Sequence, residues 1–579
     1  MMPDFVLTVT RTRHASAALP AITAALHGDS TLSLHASAPG YRLSAAPRLP
    51  ILPLGRSGHV IGTIFARGSQ TRKTTFTNAE VAAIHASRGH WLVDHCWGGW
   101  LAILDDDSLD GTAIIRDASP ALPVFYAAAE GHDHFTNAGH RLISAGVARP
   151  VPDPDYARQI LAWPGLQTAR VGIRGISELL PGQRFRRAAD TPITSLWSPW
   201  NFTGADQAIT DRATAIDLVR RETLACVAAW ARYCEKPLLE LSGGLDSSII
   251  AAALRQGRIA ADAVTFATAA RDGDERHFAR IVAGHTGLAL HEATISQGAS
   301  PLTGTRTPTL RPGTHPTLSG IDAVFSKHAN AIGADAFLSG TGGDNIFCYI
   351  STASPLLDVI GSPRPRSPIL WTLQDLARLH ETTAWHVARS AWRRARRRAP
   401  LWRHADDMIT ADAAAIDRDP HPWLDVPTGT LPGKLDHVRA LLRIQAVLHT
   451  NDRSTARPMH YPLLSQPLVE ACLRIPTWRW IENGRDRSVA RAAFDDLLPE
   501  AVLARRTKGR LEHQSMQLYL ANREAIRDLL LTGWLAAQDI ADRRVIERYT
   551  ADDSPPRDDG YYRLFDLVGV ELWARAWLD

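Results

Sequence analysis

Cysteine is scarce: five in 579 residues, at 96, 226, 234, 348 and 472, with no Cys-x-x-Cys pair and no regular spacing. Neither a disulfide framework nor a zinc site is expected, and such scattered thiols suit a reducing compartment. No uninterrupted apolar run reaches the roughly 18 residues of a membrane span. No basic segment leads into an apolar stretch after Met1-Met2-Pro3-Asp4-Phe5-Val6-Leu7, so no secretory signal is expected and the expected location is cytoplasmic. Excess charge of one sign is missing too. The 64 Lys and Arg against 60 Asp and Glu leave +4, too little in so long a chain to argue for nucleic acid. There is no internal repeat, and no Gly-Lys-Ser/Thr, which excludes the loop that hands on a γ-phosphate. With 45% apolar and 21% charged residues the chain can pack, and its length suits two or more domains.

What is present falls into two rhythms. Up to about residue 190, short strand-like runs alternate with turns: Phe5–Thr10, Trp91–Asp94, Trp100–Leu104, Ala113–Ile115 and Val124–Tyr126, punctuated by Asp105-Asp106-Asp107 and Asp110-Gly111. They predict a β-rich N-terminal domain over 1–205, closed by Pro181-Gly182 and Trp197-Ser198-Pro199-Trp200. Asp211–Cys234 reads as an amphipathic helix opening a second domain, 206–579. There the order becomes strand, loop, helix. Leu238–Leu241, Val264–Ala267 and Ala336–Ser339 are expected as parallel strands, Asp274–His285 and Ile321–Ile332 as helices, with mostly helix over 355–450 and 510–579. The fold class is α/β (α+β overall), with ligand sites at the carboxyl ends of the parallel strands.

The most informative stretch is Leu241-Ser242-Gly243-Gly244-Leu245-Asp246-Ser247-Ser248. A strand leads in and a helix leads out, which makes a cradle of backbone N–H groups facing an anion. Gly243 and Gly244 allow close approach, and Ser242, Ser247 and Ser248 add hydroxyl donors. Asp246 is placed to hold Mg²⁺ against phosphate oxygens. The bland alternative is a Gly/Ser turn capping a helix. A second such turn, Ser339-Gly340-Thr341-Gly342-Gly343-Asp344-Asn345, follows another expected strand and supplies a second carboxylate. Two acids on adjacent loops suit a Mg²⁺–pyrophosphate complex.

The first loop resembles the pyrophosphate-gripping loop of ATP pyrophosphatases, which split ATP into AMP and pyrophosphate to activate a carbonyl or carboxylate. The whole chain resembles the asparagine synthetase B group, a class II glutamine-amidotransferase-like domain followed by a synthetase domain. Trp97-Gly98-Gly99-Trp100, Arg116-Asp117, Phe125-Tyr126 and Glu178-Leu179-Leu180-Pro181-Gly182 carry the resemblance in the first part. In the second part it is carried by 241–248, Asp274-Glu275, 339–344, Arg457–Ile475 with Ser465 near the family's usual acid, Leu498-Pro499 and Arg506-Thr507-Lys508-Gly509. The resemblance implies ATP and Mg²⁺ as cofactors, with Asp246 and Asp344 on the metal. It implies Ser242, Gly243, Gly244, Ser247 and Ser248 on the pyrophosphate, and Leu241, Thr268, Ser339 and Gly340 along the nucleotide. Lys508 is implied as the cation that stabilises the tetrahedral oxyanion and the AMP leaving group; read alone, it would be surface charge.

Departures from the family pattern bear on the reaction. Class II amidotransferases use an N-terminal cysteine thiolate against glutamine. Here the chain begins Met1-Met2-Pro3 and the nearest cysteine is Cys96. The expectation is an N-terminal domain without glutaminase activity, kept as scaffold or turned to substrate binding, with Arg116 and Asp117 structural. Thr341 stands where asparagine synthetases carry glutamate and β-lactam-forming relatives carry tyrosine, and Asn345 replaces a usual glutamate. A synthetase without its own ammonia needs an amine already in the substrate, as in β-lactam synthetases and lasso-peptide cyclases, and the chain looks most like the cyclases. The expected reaction adenylates an Asp or Glu side chain of a precursor peptide, whose N-terminal amine then closes a macrolactam. β-Lactam-type closure and ammonia-dependent asparagine synthesis are the alternatives. A tRNA-thiolating enzyme would share the first loop but usually needs a reactive cysteine near it.

His315 and a basic run are left unassigned by the resemblance. His315 is either the base that takes the amine's proton or a solvated loop histidine. Arg389–Arg403, with Trp392 and Trp402 interleaved, is either a solvated helix face or a dock for an acidic leader peptide, a partner protein or RNA. The expected partner is the peptide precursor, with a leader-removing protease and a leader-binding protein as candidate associates; neither nucleic acid nor a membrane is expected.

Overall fold

The computed structural model describes residues 4–10, 20–56, 58–106, 111–186, 193–267, 274–295, 302, 306–362, 369–396, 400–505, 512–551, 556 and 558–578. Its first part is two antiparallel sheets of six strands each. One runs, in spatial order, Ser177–Glu178, Phe125–Ala129, His132–Thr136, Phe5–Thr10, Tyr41–Ala45, Ser33–Ala38. The other runs Ile193–Ser195, Gln183–Arg186, Gly111–Arg116, Cys96–Asp106, Gly58–Ala66, Ile51–Pro53. Successive strand residues point to opposite faces. Phe5, Leu7 and Val9 therefore meet Ile61, Leu101 and Ile114 of the facing sheet, while Val6 packs on Leu26 and Leu142 behind.

One expected strand is corrected. Trp91–Asp94 lies within the helix His90–His95, which follows Gly89 in a left-handed conformation (φ +88°). Leu92 and Val93 are both fully buried. Neighbours in a strand point to opposite faces, whereas on a helix they lie about 100° apart and can share one.

The second part is built on a five-stranded sheet in the order Ala289–Thr294, Asp262–Ala267, Pro237–Glu240, Ala336–Ser339, Met459–His460, all parallel. The three inner strands are those expected; the two outer ones were not. Ala289–Thr294 buries only Ala293, and Met459–His460 is two residues long, so neither carries the apolar run that marks a buried strand. The long helix Arg212–Tyr233 enters this part, its start capped by Asp211, whose carboxylate accepts from the Thr214 N–H at 2.8 Å. Helices Leu245–Gln256, Arg276–Thr286 and Ser319–Ile332 cover the sheet. The later helices Glu512–Thr532, Arg543–Thr550 and Gly560–Leu578 form a second apolar core, into which Tyr156 and Leu161 of helix Pro154–Ala162 also project.

A buried ion cluster ties the parts together. Arg116, 1% exposed, donates to Glu178 Oε1 at 2.6 Å. Glu178 is itself fully buried and accepts on Oε2 from Arg311 and from Gln167 Nε2 at 3.0 Å. Burial alone would raise the Glu178 carboxyl, but Arg311 and Arg116 outweigh it and hold it at about 2. Asp117 is equally buried and accepts from the N–H groups of Trp100 and Ser119. Among the described residues no helix is long and apolar enough to cross a membrane.

Candidate active site

Strand order positions the site. From Pro237–Glu240 the chain adds strands outward on one side, then crosses back to lay Ala336–Ser339 on the other. Ligands of open α/β sheets bind beyond the carboxyl ends of the strands at such a reversal. Glu240 pairs directly with Ser339, so the two glycine loops leave the sheet side by side. A cavity of about 560 Å³ opens above them.

Glycine is required where the loops are tightest. Gly243 has φ +68°, and a Cβ there would stand 2.5 Å from the Phe278 backbone carbonyl carbon, in the first turn of helix Arg276–Thr286. A Cβ on Gly343 would stand 2.2 Å from Asp246 Cγ, so the second loop presses directly on the Asp246 side chain. Helix Leu245–Gln256 begins after Gly244 with no side-chain cap, leaving its first N–H groups for another acceptor. Ser242 Oγ accepts from Gly244 N–H at 3.2 Å and lies 3.2 Å from Ser247 Oγ.

The two carboxylates share a cation. Arg487 Nη1 donates to Asp344 Oδ1 and reaches Asp246 Oδ1 at 3.5 Å, while Nε faces Asp486 at 3.5 Å. Its guanidinium carbon lies 5.8 Å from the centre of the Tyr349 ring. Burial would lower the Arg487 pKa, but Asp246, Asp344 and Asp486 outweigh it and raise it. A pair of carboxylates already converging on one positive group, flanked by serine hydroxyls, is the hard oxygen donor set that Mg²⁺ takes. The residues fit the ion, and the glycine cradle fits a pyrophosphate.

Most of the expected residues meet on this cavity. Leu241, Ser242, Gly244, Asp246, Ser247, Ser339, Gly340 and Asp344 line it, and Gly243 supports the loop from behind. Ser248 is fully buried and does not line the cavity, and its hydroxyl has no hydrogen-bond partner among the described residues. Thr268 and Lys508 lie outside the described residues. Arg505, three residues before Lys508, donates to Glu275 Oε1 at 2.6 Å on the cavity rim and stacks 4.1 Å over Phe278. Ser465 is buried off the cavity, accepting from Trp230 Nε1 at 3.1 Å.

Thr341 and Asn345 both line the cavity. Thr341 Oγ1 is 3.0 Å from Ser339 Oγ, and Asn345 Nδ2 donates to the Ala440 carbonyl at 2.8 Å, which ties the loop to helix Pro432–Leu448. Apolar walls come from Val264, Phe266, Ile321 and Phe325. The basic run lies elsewhere. On helix Ala384–Arg396, Arg389, Trp392, Arg393 and Arg396 face solvent, Arg396 lying over the Trp392 ring at 4.5 Å, and Arg394 pairs with Asp436 at 2.5 Å. Trp402 is core, donating to the Pro164 carbonyl.

No local pattern marks Arg487, whose role depends on loops some 140 and 240 residues away in the chain. Arg453 was equally hidden: it binds Glu240, at the end of the central strand, and Asp322. The family model described as asparagine synthase matches residues 219–577, which span both loops, Arg487 and Arg505. No curated protein matches the chain.

Proposed function

The chain belongs to the asparagine synthase family, whose members form amide bonds with ATP, and on that premise we propose that it closes a macrolactam in a peptide. An Asp or Glu side chain of the peptide is adenylated with loss of pyrophosphate, and the peptide's own N-terminal amine displaces AMP. The observation that carries this reading is a pair of glycine loops whose carboxylates, Asp246 and Asp344, converge on one cavity, beside five thiols that burial keeps protonated. Burial pushes Cys96, Cys234 and Cys348 up to about 12, and raises Cys226 and Cys472 as well. Such thiols carry little thiolate at neutral pH, which disfavours attack on a glutamine amide and favours an amine brought by the substrate.

Free ammonia is the poorer candidate. An ammonium ion is held by carboxylates, and the second loop presents a hydroxyl at Thr341 and an amide at Asn345 that is bonded to Ala440. An amine carried by the substrate needs no such carboxylate.

In the proposed reaction Ser242, Ser247 and the first N–H groups of helix Leu245–Gln256 grip the pyrophosphate, and Asp246 and Asp344 are the residues that would hold the metal. Bound Mg²⁺ would neutralise the charge gathering on the departing pyrophosphate. Arg487, which reaches both carboxylates, would then be available to the phosphate oxygens. Lys508, three residues after Arg505 in the sequence, would be the cation that stabilises the tetrahedral oxyanion. A cavity of about 560 Å³ takes one nucleotide and a side chain, so the body of a folded peptide stays at its mouth. The amine is free only once a leader has been removed, so a protease acts first.

Mass spectrometry tests the reading. A leaderless precursor with a free N-terminal amine, incubated with the protein, ATP and Mg²⁺ in the presence of the maturation protease, should become lighter by one water as AMP appears. An unchanged peptide, with AMP release driven by aspartate or a small β-amino acid, would replace it with small-molecule amide synthesis.

A further inference from the structure

Amide formation from an amine releases a proton, and the lining of the cavity narrows the choice of acceptor. Among the described residues its ionisable side chains are Glu240, Asp246, Glu275, His315, Asp344 and Arg453. Every carboxylate in that set is held by a guanidinium: Glu240 by Arg453 at 2.5 Å, Glu275 by Arg505 at 2.6 Å, Asp246 and Asp344 by Arg487. A carboxylate so paired has its lone pairs already committed to a cation. The remaining base is His315.

We propose that His315 takes the proton from the attacking amine, with Asp566 as its positioning residue; the assignment rests on the amide-forming reading above. The ring is held on three sides. Nε2 lies 3.4 Å from Asp566 Oδ1 on helix Gly560–Leu578, Nδ1 lies 2.8 Å from Thr317 Oγ1, and Phe565 meets the ring edge-on at 6.3 Å between centres. Its flanks are fixed too. Thr314 is buried, bonded to Asp322 and to the Thr450 carbonyl, and Pro316 packs on Gly569 of the same helix. Asp566 also faces Arg563 at 3.7 Å, which leaves its charge only partly committed. A carboxylate at Nε2 keeps the hydrogen there and leaves Nδ1 as the acceptor, the logic by which a buried acid orients a catalytic imidazole.

The step balances. The amine lone pair forms the C–N bond at the adenylated carbonyl carbon. One N–H bond then breaks toward Nδ1, either directly or through the Thr317 hydroxyl, which passes on its own proton as it accepts the amine's. The C–O bond to AMP breaks, and the imidazolium returns its proton to water. Nothing in the adenylation half-reaction calls on His315, and this separates its role from a structural one.

The experiment compares ATP–pyrophosphate exchange with ring closure in wild type, His315→Ala and Asp566→Asn, using the leaderless peptide as substrate. General-base loss should slow ring closure about 100-fold in H315A while exchange falls less than about threefold. D566N should slow closure about tenfold, and imidazole should restore part of the H315A rate. Hydroxylamine, which needs no such base, should trap the activated carboxyl in H315A as in wild type. Loss of exchange in step with closure would make His315 structural and overturn the assignment, as would closure at the wild-type rate. Absence of peptide-dependent exchange in wild type would instead bring down the macrolactam reading, and this assignment with it.

Discussion

Replacing Glu178 with glutamine should loosen the attachment of the N-terminal sheets without touching the chemistry. Its carboxylate is fully buried between Arg116 and Arg311, and is held at about 2 against an ordinary 4.5. That preference for the charged form corresponds to about 3 kcal/mol. Removing one partner of a buried ion pair typically costs about 3–5 kcal/mol, which agrees. For a cooperative unit of about 200 residues this lowers the melting temperature by about 10 °C. Differential scanning calorimetry of E178Q beside wild type measures it. The pH dependence has a fixed sign. The unfolded carboxyl binds its proton near 4.5 and the folded one near 2, so the stabilisation is complete above about pH 5 and disappears as pH falls through that window. The gap between wild type and E178Q should therefore be constant at neutral pH and close on acidification. ATP–pyrophosphate exchange per folded molecule should not change. A gap under about 2 °C at neutral pH, or one that widens on acidification, would refute the reasoning.

Asp246→Asn and Asp344→Asn should each reduce ATP–pyrophosphate exchange by about a thousandfold, and retained exchange removes the metal assignment. Arg487→Ala should bind Mg²⁺ more tightly in the absence of nucleotide, because the competing guanidinium is gone; an unchanged isotherm in calorimetric titration sinks the shared-cation account. Gly343→Ala places a Cβ against Asp246 Cγ and should destabilise by about 1–3 kcal/mol while lowering exchange, so normal exchange would show that the loops have room to part. Glutamine should yield no glutamate, since the five thiols, four buried and Cys234 half-buried, are all raised and supply little thiolate; release of ammonia would disprove this.

The two glycine loops were legible because their chemistry dictates residue type. A backbone at φ +68° against Phe278 and a loop pressed on Asp246 leave glycine as the residue that fits, and such constraints show in sequence. The inner strands were legible as short apolar runs ahead of those loops. The outer strands were not, since Ala289–Thr294 is mostly exposed and Met459–His460 is too short to show a pattern. Trp91–Asp94 misled because four residues carry no distinguishable period. Partnerships between distant charges stayed hidden for a different reason. Arg487 and Arg453 sit in unremarkable polar stretches, and their meaning comes only from the sheet order that brings Asp344, Asp246 and Glu240 to them. His315 was visible as a candidate, but its partner Asp566 is some 250 residues further along.

The order of strands also sets a schedule for synthesis. The strands of the antiparallel sandwich lie within residues 5–195 and pair with one another, so this part can assemble while the remainder is still on the ribosome. The central parallel strand at 237–240 has no such freedom: one neighbour is made at 336–339, and beyond it the edge waits for 459–460. Until then an apolar strand with unpaired N–H and C=O groups is open to pairing with another chain. Expression should accordingly be limited by aggregation of half-made chains more than by the stability of the finished protein. Slowing translation after residue 340 or supplying a holding chaperone should raise the yield, whereas stabilising the sandwich should not.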